Sequence, residues 1–188
     1  MRYVLSVLSA ALLAGAVSAV LLEPASVRAE SSYNGYVKAC NGKKVYLRPA
    51  EKRTLQLHNR ARVNRDIRRL CIQPQLLRAA RKHSADMIRN DYFAHDSRDG
   101  TTFVQRVKRE GYTSRGMSVY RVGENVGGGS GTRGKPPKIH RAWMKSDGHR
   151  RNILKKGFRQ VGIGVAGGKY KSFDGYRMYT VDFGFRRR

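Results

Sequence analysis

Two histidines and one glutamate are the residues of this sequence most suited to chemistry. His95 closes the aromatic run Tyr92–His95, Glu124 follows Gly123, and His149 follows Gly148. Glycine lets the backbone approach another element closely, so these side chains can meet. Imidazoles with a carboxylate suit Zn²⁺ more than Ca²⁺, and three protein ligands with an open position are typical of catalytic zinc. We therefore predict a small metal or proton-transfer site in a cleft.

The spacing also fits a structural interpretation. His95 and His149 could cap helix ends while Glu124 bridges a loop, because no short metal-binding motif such as His-Glu-x-x-His is present. The other histidines are expected outside the site. We predict that His83 and His140 lie partly exposed among basic residues, and that His58 packs near the core.

The composition is strongly basic. The 188 residues include 39 Lys plus Arg against 13 Asp plus Glu, a formal net charge of +26. Such a surface attracts anionic polymers, among them nucleic acid and cell-wall polymers, and anionic membranes. A solvated basic surface without a dedicated partner explains the charge equally well. No Ser, Cys or Thr lies in a nucleophile signature.

Residues 1–29 are predicted to be a signal peptide. Arg2 precedes the apolar run Val4–Leu22, and the small residues of Val27–Ala29 suit a cleavage site. An uncleaved anchor is the alternative, because the run is nearly long enough to span a bilayer. Both interpretations place the folded part outside the cytoplasm, secreted or periplasmic. An exported chain with two cysteines favours a disulfide between Cys40 and Cys71.

Residues 30–50 are predicted to form a linker and a β-hairpin, because Asn41-Gly42 lies between two β-type runs. Residues 51–188 are predicted to form the main domain. Its patterns predict helices over about 49–66, from Pro74, after the capping box at Thr102, and over 138–145. The glycine-rich segment 127–137 is expected to be a mobile loop. Strands are expected at 161–165 and 176–183, so the fold class is α+β.

Several motifs occur in the order seen in one family: His58-Asn59, Ala85-Asp86-Met87, Tyr92-Phe93-Ala94-His95, Gly123-Glu124-Asn125, Trp143-Met144, Ser146-Asp147-Gly148-His149-Arg150 and Asn152-Ile153-Leu154. On these motifs the chain resembles the CAP superfamily of cysteine-rich secretory proteins, antigen 5 and pathogenesis-related 1 proteins. Within it, the chain looks like the bacterial secreted SCP-like branch. The match covers about Thr54 to Gly184. The resemblance implies a three-layer α-β-α sandwich with a central antiparallel sheet.

The resemblance also implies a cleft with two histidines and two acidic residues, which holds a divalent cation in some members. His95 matches the first histidine, Glu124 the first glutamate, and His149 the histidine of the bacterial branch. Ser146 stands where many relatives carry a second glutamate. Asp147 and Asp182 are then the acidic candidates for the fourth position.

Three functions follow, in order of preference. The first is a secreted binding module whose cleft, formed by His95, Glu124 and His149, holds a divalent cation or a small ligand. The second is an electrostatic binder of anionic polymers or membranes that does not use the cleft. The third is a metal-assisted hydrolase with Glu124 as the base.

Overall fold

The computed structural model describes residues 35–188, so the predicted signal peptide lies outside the described residues. Its helices and strands are, in chain order, β1 (Tyr36–Lys38), β2 (Lys44–Tyr46), α1 (Pro49–Val63), β3 (Cys71–Ile72), α2 (Pro74–Arg89), α3 (Phe103–Arg109), β4 (Val119–Gly129), α4 (Pro136–Lys145), α5 (Asp147–Leu154), β5 (Gln160–Tyr170) and β6 (Phe173–Arg187). No helix within residues 35–188 is both long and apolar enough to cross a bilayer.

The central sheet has four strands in the order β3-β5-β6-β4. The three long strands are antiparallel, as expected, and the two-residue strand β3 pairs with β5 in parallel. The sheet is therefore mixed rather than purely antiparallel. The register places Asp182 of β6 between Gly162 of β5 and Glu124 of β4. Because side chains directly opposite each other share a face, Glu124 and Asp182 point to the same side of the sheet.

Helices cover both faces of this sheet. On one face α2 packs so closely on β5 that a Cβ added at Gly162 would lie 2.0 Å from the backbone of Leu76. The larger core fills the other face, where Trp143 of α4 and Ile153 of α5 pack against Val161, Val181 and other strand residues. The predicted three-layer α-β-α sandwich is confirmed.

The helix starts follow the sequence signals. Proline occupies the first turn of α1, α2 and α4, where its missing N–H is not needed. Thr102 caps α3, because its hydroxyl accepts a hydrogen bond from the Gln105 amide and the Gln105 side chain accepts one from the Thr102 amide. Helix α1 ends at Val63, three residues earlier than predicted.

The prediction of a mobile loop over 127–137 is wrong. Gly127, Gly128 and Gly129 belong to β4 and pair with β6, and α4 already begins at Pro136. Aromatic rings lie directly on this glycine backbone. A Cβ at Gly127 would lie 2.9 Å from the Trp143 indole, and one at Gly128 would lie 2.6 Å from the Tyr176 ring. Glycine here permits close packing within a strand.

The N-terminal hairpin and its disulfide are confirmed. Strands β1 and β2 are antiparallel with Val37 opposite Val45. Cys40 and Cys71 are bonded, with their Cα atoms 5.1 Å apart. The Cys40 amide also donates to the Ile72 carbonyl over 2.8 Å. The hairpin is thus held beside β3, the edge strand of the central sheet.

Candidate functional site

Glu124 is the centre of the candidate site. It lies on β4 with its side chain only 1% exposed. Its Oε1 accepts a hydrogen bond from Nδ1 of His95 over 2.8 Å, and its Oε2 accepts one from a terminal nitrogen of Arg106 over 2.6 Å. A buried carboxylate is tolerated when it is paired and hydrogen bonded in this way.

Arg106 of α3 also fixes the loop that carries His95. The guanidinium donates to the His95 carbonyl over 2.7 Å and to the Thr101 carbonyl over 3.0 Å. One cation therefore holds both the carboxylate and the backbone of its imidazole partner. No sequence motif marked Arg106 as a member of the site. The nearest signal was the capping box at Thr102, which sets the start of α3 and so the position of Arg106.

Asp147 and Asp182 are the two candidates for the second acidic residue of the site, and their exposure distinguishes them. Asp147 has a side chain that is 79% exposed and pairs with Arg150 over 2.7 Å. Asp182 is buried beside Glu124, and its Oδ1 has no hydrogen-bond partner within residues 35–188. Burial raises the pKa of Asp182 well above its ordinary value, and the Glu124 carboxylate raises it further. The raised pKa favours the protonated carboxyl, which can donate a hydrogen bond to Glu124.

His149 approaches the site from the opposite helix layer. It lies at the start of α5, where its carbonyl accepts a hydrogen bond from the Asn125 amide side chain over 3.0 Å. Its Nδ1 lies 2.9 Å from the Ser146 hydroxyl. Ser146 therefore orients the imidazole. Burial lowers the pKa of His149, and positive charge on His95 lowers it further, so the two rings interact electrostatically.

The two imidazoles present their Nε2 atoms outside the hydrogen-bond network. The Nδ1 atoms are engaged by Glu124 and Ser146, and neither Nε2 has a partner in the described part of the chain. The hydrogen bond to Glu124 raises the pKa of His95, whose side chain is 50% exposed. The structure thus brings His95 and Glu124 into contact, and His149 lies close enough to His95 for the charge of His95 to lower the pKa of His149.

A three-ligand metal site is not assembled by these side chains. No group of three His, Cys, Asp or Glu residues between 35 and 188 is arranged to hold a metal ion. Each carboxylate oxygen of Glu124 already accepts a hydrogen bond, one from His95 and the other from Arg106. Glu124 accepts from Nδ1 of His95 and so orients this imidazole, as a carboxylate does behind a ligand histidine.

The remaining histidines lie elsewhere. The prediction that His83 is partly exposed is wrong, because it is 1% exposed and its Nε2 lies 3.0 Å from the Ala94 carbonyl. The loop that follows α2 covers it. His58 is buried in the core, as predicted, and its Nδ1 lies 3.2 Å from Nδ1 of the half-buried His140. Burial lowers the pKa of His58 to about 3.

Among known proteins, the uncharacterized protein YkwD of Bacillus subtilis is 35% identical over 114 residues, which cover 61% of this chain and 41% of that protein. The uncharacterized membrane protein YlbC of the same organism is 29% identical over 116 residues, covering 62% of this chain and 31% of YlbC. The chain therefore spans less than half the length of these curated relatives.

Solved structures show the same fold. An extracellular protein from Bacillus anthracis that contains an SCP domain superimposes with a TM-score of 0.58 at 26% identity, over 78% of this chain and 47% of that one. An outer surface protein of Borrelia burgdorferi gives a TM-score of 0.60 at 20% identity, over 77% of this chain and 98% of that one.

The family comparison agrees with the motifs and the fold. The family described as CAP, the cysteine-rich secretory protein family, matches residues 55–183, which include all three predicted site residues. The chain belongs to the CAP family.

Proposed function

We propose that this chain is an exported CAP-domain binding protein. Its cleft takes a divalent cation, Zn²⁺ in preference to Ca²⁺, or a small ligand, through the Nε2 atoms of His95 and His149. The observation that carries this proposal is the contact between Glu124 and His95. By accepting from Nδ1, the carboxylate leaves Nε2 as the ring nitrogen available to a ligand.

Export is supported by three observations. The sequence of residues 1–29 has the pattern of a signal peptide. The Cys40–Cys71 disulfide is of a kind that persists in oxidising compartments. The similar solved proteins include one described as extracellular and one described as an outer surface protein. We propose that the folded domain works outside the cytoplasm, secreted or periplasmic.

Binding in the cleft is favoured over hydrolysis. A general base needs an accessible lone pair beside the reacting water. The Glu124 carboxylate instead accepts from His95 and from Arg106, and its side chain is buried. A hydrolase would have to release one of these contacts. Chelator-sensitive turnover of nucleic acid, peptidoglycan or casein by the wild-type protein would favour the hydrolase.

A second binding mode is proposed from the charge. A net charge of +26 favours contact with anionic polymers or anionic membranes, in addition to any ligand in the cleft. The affinity of such contacts for nucleic acid falls steeply with salt, and it should not change in His95→Ala. Salt-insensitive binding, or no binding at low salt, would remove this mode.

The cleft is tested by calorimetry with Zn²⁺. We expect saturable binding by wild-type protein and its loss in His95→Ala/His149→Ala, because both Nε2 atoms are removed. His140→Ala is the matched control, since it removes a half-buried imidazole that pairs with His58 outside the cleft. Identical binding by wild type and the double variant would refute the cleft as the site.

A further inference from the structure

A cavity whose lining includes neither His95 nor Glu124 lies between α2, the loop 97–101 and α3. Its volume is about 850 Å³. Six lysine and arginine side chains line it: Arg81, Lys82, Arg89, Arg98, Arg106 and Arg109. We call this cavity the arginine pocket. Its volume lies within the range of about 300–1,000 Å³ that small-molecule sites occupy.

Three of these cations are already paired with carboxylates. The pairs are Arg81 with Glu51, Lys82 with Glu110, and Arg106 with Glu124. The other three, Arg89, Arg98 and Arg109, form no salt bridge in the described part of the chain. Arg98 makes only a 3.5 Å contact with the Asp91 carbonyl and lies over the Tyr92 ring.

The acidic residues of the pocket are occupied by protein donors. Asp86 accepts hydrogen bonds from the Asn90 side chain and the Tyr92 hydroxyl. Asp99 accepts one from the Thr101 amide. Glu110 accepts from Arg78 and Lys82. The Thr101 contacts lower the pKa of Asp99, and the charge of Arg109 lowers it further without a salt bridge between the two side chains. Among the lysine and arginine side chains of the pocket, Arg89, Arg98 and Arg109 therefore remain without a carboxylate hydrogen-bonded to them in the described part of the chain.

We propose that the arginine pocket binds a small, multiply charged phosphate, with Arg89, Arg98 and Arg109 as the contacting cations. Guanidinium presents its donors as a planar fork that matches two phosphate oxygens, and such charge-assisted bonds are stronger than neutral ones. The net charge of +26 adds a favourable field for an anion. Arg106 lines the pocket and also holds Glu124, so the pocket and the cleft are neighbours.

This proposal does not rest on ligand binding in the cleft, and it is tested with inorganic pyrophosphate as the probe. Titration calorimetry is performed on the full folded chain at about 0.15 M salt, where the Debye length is about 8 Å and diffuse attraction is screened. We expect one saturable site. In Arg89→Ala/Arg109→Ala the affinity should fall about tenfold or more, because two charge-assisted contacts are lost.

The control variant removes the same charge from another arginine cluster. Arg53 and Arg60 line a smaller cavity of about 460 Å³ on α1, together with Arg69. Arg53→Ala/Arg60→Ala should bind pyrophosphate as wild type does. An equal loss in both variants would show that general charge, not the arginine pocket, attracts the anion, and would overturn the proposal. Absence of saturable binding in the wild type would also overturn it.

A third variant separates the two proposals. His95→Ala/His149→Ala leaves the arginine pocket intact, so pyrophosphate binding should be retained whether or not Zn²⁺ binding is lost. Loss of pyrophosphate binding in this variant would place the anion in the cleft and contradict the arginine pocket.

Discussion

Arg106→Met is the substitution that tests the electrostatic arrangement of the site most severely. The guanidinium donates hydrogen bonds to Glu124, to the carbonyls of His95 and Thr101, and to the Ser97 hydroxyl at 3.3 Å. Methionine retains much of the apolar stem but supplies no donor. The Glu124 carboxylate would then remain buried without its cation.

The expected loss of stability is large. The side chains of Arg106 and Glu124 are only 10% and 1% exposed, so solvent screens their interaction little. Removing one partner of a buried ion pair costs about 3–5 kcal/mol, because the other charge is left uncompensated. Adding Glu124→Gln removes that charge. We expect the double variant to be about 2 kcal/mol more stable than the sum of the two single effects predicts.

Urea unfolding at pH 7 measures these values. Trp143 is the only tryptophan of the chain and is buried in the core, so its fluorescence reports on unfolding. Arg150→Met is the matched control, because it breaks an exposed pair with Asp147 and should cost at most about 1 kcal/mol. A loss below about 1 kcal/mol in Arg106→Met, or strict additivity with Glu124→Gln, would refute the reasoning.

Three further predictions concern the fold. Cys40→Ala/Cys71→Ala should lower the free energy of unfolding by about 3–4 kcal/mol in urea, because the disulfide closes a loop with a sequence separation of 31; an unchanged midpoint would contradict this. Burial lowers the pKa of His58 from 6.5 to about 3, so the unfolded state binds the proton more strongly and stability should fall as pH drops through that range. His58→Phe should flatten this part of the pH–stability profile, and an unchanged slope would count against the assignment. Gly162→Ala should prevent folding or lower Tm strongly, because its Cβ would overlap the α2 backbone, whereas Gly148→Ala meets open space; equal Tm values for the two variants would argue against the close packing.

The sequence predicted the elements whose signals are local. The proline starts, the capping box at Thr102 and the Asn41-Gly42 turn all depend on neighbouring residues, and each is found where expected. The glycine segment 127–137 failed because its structure is imposed from a distance. The glycines at 127–129 have little intrinsic strand propensity. They form a strand because they pair with β6 and because the rings of Trp143 and Tyr176 pack against their backbone.

The sequence predicted which residues belong to the candidate site, but not the hydrogen bonds that join them. His95, Glu124 and His149 were selected from residue type and motif order. Arg106 was missed because the chain has 39 lysines and arginines, and nothing local marks the one that meets the buried acid. His83 was misplaced because the loop that follows α2 covers it, and the basic residues around it in sequence do not reveal this contact.

The central claim is that His95 and His149 present their Nε2 atoms to one ligand-binding cleft. Nitrogen NMR of the histidine side chains during a Zn²⁺ titration tests it most directly. We predict that the Nε2 signals of His95 and His149 shift together, and that Nδ1 of His95 keeps the proton it donates to Glu124. A response from His58 and His140 instead, or from no histidine between residues 35 and 188, would contradict the account.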